Sequence, residues 1–136
     1  EIIYASEDGR LVFTGDVIEL RDSGPVNLKE ARYQKVRTAG LADLDPDALI
    51  TYPAKGKEKA EIYAFTDITC GYCRKMHRHI EEYTDAELAE CATAVDEQYQ
   101  LGLEFGVRGT PAVYSVDGAQ LGGYVTPEQL NQRLGL

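Results

Sequence analysis

No stretch of the 136 residues offers the ~18 consecutive apolar positions that a membrane-spanning helix needs, so no membrane insertion is expected. Basic residues are scarce as well. Fourteen Lys and Arg stand against 23 Asp and Glu, a formal net charge of −9, which argues against nucleic acid and anionic membrane as partners and excludes little else. No signal peptide opens the chain. Glu1 is not an initiator methionine, and the expectation is an export signal already removed. Cysteine is rare and odd in number: Cys70, Cys73 and Cys91, and an unpaired cysteine in an exported protein calls for an explanation. What is present suffices for a packed core. Hydrophobic residues make up 43% of the chain, too many for a disordered one and enough for one ordinary domain, or a small domain plus part of another.

Two of the cysteines form Cys70-Gly71-Tyr72-Cys73. The motif follows the apolar, strand-like run Ile62-Tyr63-Ala64-Phe65 and precedes a helix-like run beginning near Tyr72. A Cys-x-x-Cys pair at a strand-to-helix junction is the arrangement of a thiol–disulfide redox site. The first cysteine lies at the helix N-terminus, where unpaired N–H groups and the helix dipole favour its thiolate, the species that attacks disulfides.

Before the motif, Ile2–Tyr4, Leu11–Phe13 and Val17–Leu20 read as short strands. Asp8-Gly9 gives a hairpin turn, and Asp22-Ser23-Gly24-Pro25 ends the block. So few residues cannot bury enough surface to stand alone. Asn27 is a plausible N-cap for a helix from about Leu28 to Thr38, with Gly40 past its end. A short turn follows at Asp45-Pro46-Asp47, and Tyr52–Lys57 reads as a charged connector. After the motif, a helix is expected from Tyr72 to about Tyr83. A second helical stretch runs from Asp85 to about Phe105, with Leu88, Cys91, Val95, Tyr99 and Leu103 on one buried face. Ala112–Val116 reads as a strand, Asp117-Gly118 as a hairpin turn to Gln120–Tyr124, and Thr126-Pro127-Glu128 as the cap of a last helix ending near Leu134.

The order strand, CxxC, helix, helix, Gly-Thr-Pro, hairpin, helix is that of an α/β thioredoxin-like domain. Phe65–Cys73 together with Gly109-Thr110-Pro111-Ala112-Val113 resembles the bacterial periplasmic disulfide isomerases of the DsbC/DsbG type, and Gly71-Tyr72 points to the DsbC side. Asp8-Gly9, Thr14-Gly15 and Pro25-Val26-Asn27 resemble the end of that family's dimerisation domain and the start of its linker helix. The resemblance therefore implies part of a β dimerisation domain at 1–26, a helical linker at 27–54 and a catalytic domain at 55–136. It implies a V-shaped homodimer joined through the first block, a periplasmic location, and a membrane thiol reductase of the DsbD type as the partner that keeps the cysteines reduced. Substrates would be misfolded or mis-oxidised exported proteins. Cys70 and Cys73 would be the catalytic pair, with Thr110 and a cis Pro111 lying across from them and leaving backbone groups free to pair with an extended substrate. No cofactor or metal is expected.

The pattern breaks at one place. A thioredoxin fold needs a second parallel strand after the active-site helix, reached by a crossover, and none is legible between Tyr83 and Asp85. Members of the family carry a longer stretch there, with that strand, further helices and a cysteine that pairs with the one matching Cys91. The expectation is that a segment near 83–85 is missing from the sequence, and that Cys91 is half of a structural disulfide.

Plainer readings compete. Cys70 and Cys73 could form a structural bridge, although such bridges usually close longer loops. Cys70, Cys73, His77 and His79 fall at a spacing that a zinc half-site could use. Arg74 where c-type haem attachment needs histidine removes that reading. His77 and His79 read more simply as solvated, Asp67 as a turn residue, and Pro111 as an ordinary strand-start proline. Three functions stay open: a disulfide isomerase or reductase, a dithiol oxidase that donates disulfides, and a holdase chaperone in which the cysteines are incidental.

Overall fold

The computed structural model describes residues 2–80, 86–91 and 95–136. The amino-terminal block consists of two hairpins. β1 (Tyr4–Ala5) pairs antiparallel with β2 (Val12–Phe13) around the Asp8-Gly9 turn, where Asp8 accepts the Ser6 hydroxyl at 2.5 Å. β3 (Ile18–Arg21) pairs with β4 (Gly24–Asn27) through the two-residue turn Asp22-Ser23. Asp22–Pro25 therefore does not end the block but folds back as a second hairpin, with Pro25 opposite Leu20. A two-stranded ribbon leaves each strand one free edge, and a proline without an N–H is tolerated there.

Asn27 caps α1 (Leu28–Ala42), its side chain accepting from the N–H groups of Lys29 and Glu30 at 3.0 and 3.2 Å. The helix runs past Thr38 and takes Gly40 into its interior. A Cβ at Gly40 would sit 2.5 and 2.7 Å from ring atoms of Phe105. Glycine here permits close helix packing rather than ending the helix. After a 3₁₀ turn at Pro46–Ala48, β5 (Leu49–Tyr52) enters the main sheet, inside the stretch expected to be linker.

That sheet has the order β5-β7-β6-β8-β9. β6 (Ala60–Phe65) is central, α2 (Gly71–Arg78) follows it, and β7 (Ala86–Cys91) lies parallel to β6 with Ala60 opposite Ala86 and Ala64 opposite Glu90. The second parallel strand is thus present in residues expected to be helical. Ala-Glu-Leu-Ala-Glu favours helix locally, but β7 is hydrogen-bonded on both sides, antiparallel to β5 and parallel to β6, and pairing overrides a weak local preference. The stretch 83–85, where the sequence implies a missing segment, lies outside the described residues. α3 (Val95–Glu104) then packs on α1. Tyr99 and Leu103, expected on its buried face, are exposed, and Phe105, beyond its end, is fully buried instead. β8 (Ala112–Ser115) and β9 (Gln120–Gly122) form the last hairpin, and α4 (Pro127–Leu134) begins with a full capping box between Thr126 and Gln129.

The two faces of the sheet follow the period-2 alternation of strands. Ile62, Ala64 and Val113 point to one face, where Met76 of α2 and Leu130 of α4 cover them. Phe65, Ala112 and Tyr114 point to the other, where Leu41 of α1 and Phe105 close the core. Phe65, Phe105 and Tyr114 meet edge to face, with centroids 5.6–6.3 Å apart.

One buried charge ties α1 to this frame. Arg37, 2% exposed, donates through Nε to the Phe105 carbonyl at 2.9 Å and through Nη1 to Gly118 at 3.3 Å, pairs with Glu30 at 2.5 Å, and lies 4.7 Å over the Tyr114 ring. The β8–β9 turn approaches closely enough that a Cβ on Gly118 would sit 2.6 Å from the Gln34 carbonyl oxygen.

Candidate redox site

The site is built where β6 gives way to α2. Asp67 makes the turn: its carboxylate accepts the backbone N–H and the hydroxyl of Thr69, both at 2.6 Å, which lowers its pKa. Its carbonyl accepts the Cys70 N–H at 3.1 Å. Arg74 reaches back from α2 to the carbonyls of Ile68 and Thr69 at 3.0 and 2.9 Å. The loop before the motif is therefore held at both ends.

Cys70 is the N-cap of α2, and its sulfur lies 3.4 Å from the Cys73 N–H, the position of a cap acceptor. Both cysteines are free thiols. The Cys70 sulfur also lies 3.1 Å from the Thr110 carbonyl oxygen. Hydrogen bonds from the Cys73 side chain, the Cys73 N–H and the Thr110 side chain, in that order, lower the Cys70 pKa to about 7. The second sulfur differs. Cys73 is 1% exposed, and burial is the main cause of its raised pKa. Four residues thus place one accessible sulfur that ionises readily beside one buried sulfur that does not.

Thr110 and Pro111, forty positions away, face the motif, and the Thr110–Pro111 peptide is cis. Gly71 and Tyr72 are the first residues of α2, and the Tyr72 ring is 63% exposed. Cys91 is the last residue of β7, the parallel neighbour of β6, and its side-chain pairing falls outside what is described. His77 stands edge-on to Tyr52 at 6.3 Å, and among the described residues no group of three or more His, Cys, Asp and Glu is placed to hold a metal ion. No helix of the described residues is long and apolar enough to cross a membrane.

Two neighbours of the motif escape a sequence reading. Tyr124, after β9, brings its ring within 6.0 Å of Tyr72, and the Lys75 ammonium lies 4.7 Å from the Tyr124 ring centre. Gly123 beside it is so close that an added Cβ would stand 3.4 Å from the Pro111 carbonyl oxygen. Only the Gly122-Gly123 pair before Tyr124 hints at such an approach. A groove of about 510 Å³ lies beside the same loop, lined among others by Asp16, Glu30, Arg37, Arg108, Pro111 and Tyr114.

The thioredoxin-like domain family matches residues 46–136. DsbC thiol:disulfide interchange proteins are similar over nearly the whole chain. The one from Haemophilus influenzae is 29% identical over 177 residues, covering 98% of this chain and 75% of its own. That from Dickeya dadantii is 28% identical over 173 residues, covering 95% and 70%, and that from Escherichia coli 27% over 177, covering 98% and 72%. These alignments are longer than the 136 residues of the chain, so the relatives carry residues with no counterpart here. Among solved structures, a linker-deleted mutant of ScsC from Proteus mirabilis superposes with a TM-score of 0.57 at 16% identity, covering 79% of this chain and 85% of its own, a likeness of fold. With the thioredoxin-like match spanning the redox motif, the chain belongs to the thioredoxin-like family, and its similarity to DsbC thiol:disulfide interchange proteins spans both blocks.

Proposed function

We propose that this protein rearranges and reduces wrong disulfides in exported polypeptides, with Cys70 as the attacking and Cys73 as the resolving sulfur. The observation that carries the assignment is the asymmetry of the pair: Cys70 is half-buried with its pKa at about 7, and Cys73 is fully buried with its pKa raised. The Cys70 thiolate attacks one sulfur of a substrate disulfide. A Cys70–substrate bond forms, the substrate S–S bond breaks, and the departing sulfur leaves as a thiolate that takes a proton from solvent. In isomerisation that substrate thiolate attacks elsewhere, and a substrate sulfur finally expels Cys70, with no net transfer of electrons. In reduction Cys73 attacks the Cys70 sulfur, the substrate leaves with two electrons, and the enzyme is left oxidised. A thiol reductant must then restore it, and the resemblance supplies a membrane reductase of the DsbD type. Thr110 and Pro111 face Cys70 and are the backbone against which an extended substrate would lie.

Replacing Cys70 by Ala is expected to abolish refolding of a scrambled disulfide protein and leave any holdase activity intact. Cys73→Ala is expected to accumulate a mixed disulfide through Cys70. Absence of that adduct from a non-reducing gel refutes both the isomerase and the oxidase reading. Rearrangement of a scrambled substrate without added oxidant separates isomerase from donor.

We also infer a periplasmic homodimer joined through the first block, and a further segment between Tyr83 and Asp85 whose cysteine pairs with Cys91. The exposed apolar side chains of the first block support the dimer, and the excess alignment length of the relatives supports the segment. Intact mass of the natural protein before and after reduction tests the segment. A mass equal to that of the 136 residues would refute it.

A further inference from the structure

Cations gather around the redox pair of a chain whose net charge is −9. α2 carries Arg74, Lys75 and Arg78 and no acidic residue. Arg108 stands exposed two residues before Thr110, on the loop that faces Cys70. Among the described residues, none of the ion pairs engages Lys75, Arg78 or Arg108. Among the described residues, the carboxylate of Asp67 is held by Thr69, and Asp16 and Glu30, which line the groove beside Arg108, pair with Lys29 and Arg37. An aromatic surface adjoins Lys75, made by the exposed Tyr72 and the Tyr124 ring packed on it, with the Lys75 ammonium over Tyr124. Ile68, on the turn into the motif, is 91% exposed.

We propose that this rim makes the enzyme selective for disulfides flanked by acidic side chains, with Lys75 and Arg108 reading the charge on either side of Cys70 and the Tyr72–Tyr124 surface carrying the chain between. The proposal rests on the interchange chemistry above. Its physical basis is that a local field of one sign raises the encounter rate of oppositely charged segments, and that exposed charges do so in a salt-dependent way. The chain as a whole is acidic, so a positive rim orients acidic polypeptides with their disulfide toward the thiolate. The fit is for an acidic segment in extended form.

Three peptides of equal length, each closed by one internal disulfide and differing only in Glu, Ser or Lys beside the cysteines, test this. The reduced enzyme is mixed with each in a single turnover, and each rate is divided by that of the same peptide with 2-mercaptoethanol to remove intrinsic reactivity. The expected order is Glu over Ser over Lys. A Glu-to-Lys ratio of about tenfold at low salt is expected to fall to about twofold near 0.5 M salt. In the double variant Lys75→Glu, Arg108→Glu the order is expected to reverse. Because the readout is a ratio within one preparation, losses from misfolding cancel. Equal rates for the three peptides, or an unchanged order in the double variant, overturn the proposal alone. No reaction with any of the peptides overturns the interchange reading and the proposal with it.

Discussion

Cys70 and Cys73 are the same residue type three positions apart, yet the fold gives them opposite acidities. Capping geometry aims the Cys73 N–H at the first sulfur, and the second is buried. A free thiol titrates near 8.5, so alkylation of Cys70 by iodoacetamide is expected to reach half its maximal rate near pH 7, with Cys73 reacting far more slowly. A midpoint at 8.5 or above would refute activation of Cys70 by the hydrogen bonds from the Cys73 side chain, the Cys73 N–H and Thr110. The stability of the dithiol form follows by linkage. The folded pKa of Cys70 is depressed, so its contribution is present above the unfolded pKa and is lost as pH falls toward 7. Cys73 works the other way: its contribution is present below the unfolded pKa and is lost above it. The dithiol form is therefore expected to gain stability as pH rises from about 7 to about 8.5, measured as the urea midpoint. The motif and its chemistry are legible in the residues alone. Thr110 across the site is reached only through the family resemblance, and Tyr124 beside Tyr72 not at all, because both are distant in the chain and arrive through the sheet.

At the scale of elements, local signals and tertiary demands disagree in instructive places. Asn27 and Thr126 cap their helices as their residue types suggest, because a cap is a local hydrogen bond between neighbours. Gly40 misleads. Its place near the end of a helical run suggests a terminus, but it lies inside α1 against Phe105. Gly40→Ala is a sharp test because two effects oppose. Helix propensity favours alanine by about 1 kcal/mol, whereas forcing a methyl into a packed core costs about 1–3 kcal/mol. Phe105 is 0% exposed and held by Phe65 and Tyr114, so it has little room to yield. The net result is expected to be destabilisation, seen as a lower urea midpoint at constant m-value. A stabilised variant would show that the ring moves aside. β7 is the larger lesson. Its composition suits a helix, and only the strands on either side make it a strand.

For the whole molecule, the amino-terminal block is the part that does not bury itself. Leu11, Val12, Phe13, Ile18 and Leu20 are 49–84% exposed on two short hairpins. Ribbons of this size are marginal alone, and contiguous exposed apolar surface marks an interaction site. A second copy of the chain is the occupant that the family resemblance implies. Phe13→Glu combined with Leu20→Glu is therefore expected to shift the sedimentation of the protein from dimer to monomer and to leave reduction of a small disulfide by Cys70 intact. Unchanged sedimentation would refute this block as the interface. Arg37 links the scales: a single buried guanidinium joins α1 to the turns at Phe105 and Gly118.

The residues by themselves determined the reaction class, the fold class and the local punctuation, because CxxC chemistry, strand alternation, helix caps and Asp-Gly turns depend on neighbours in the chain. Only the tertiary structure decided which segment supplies the parallel strand beside β6, why Gly40 is glycine, and which side chains surround the attacking sulfur. Those depend on backbone pairing and close approach between segments tens of residues apart, which no local pattern encodes. The acidic chain as a whole and the basic rim around Cys70 show the same division. Net charge is read from composition, but the field that a substrate meets is set by where folding places each charge.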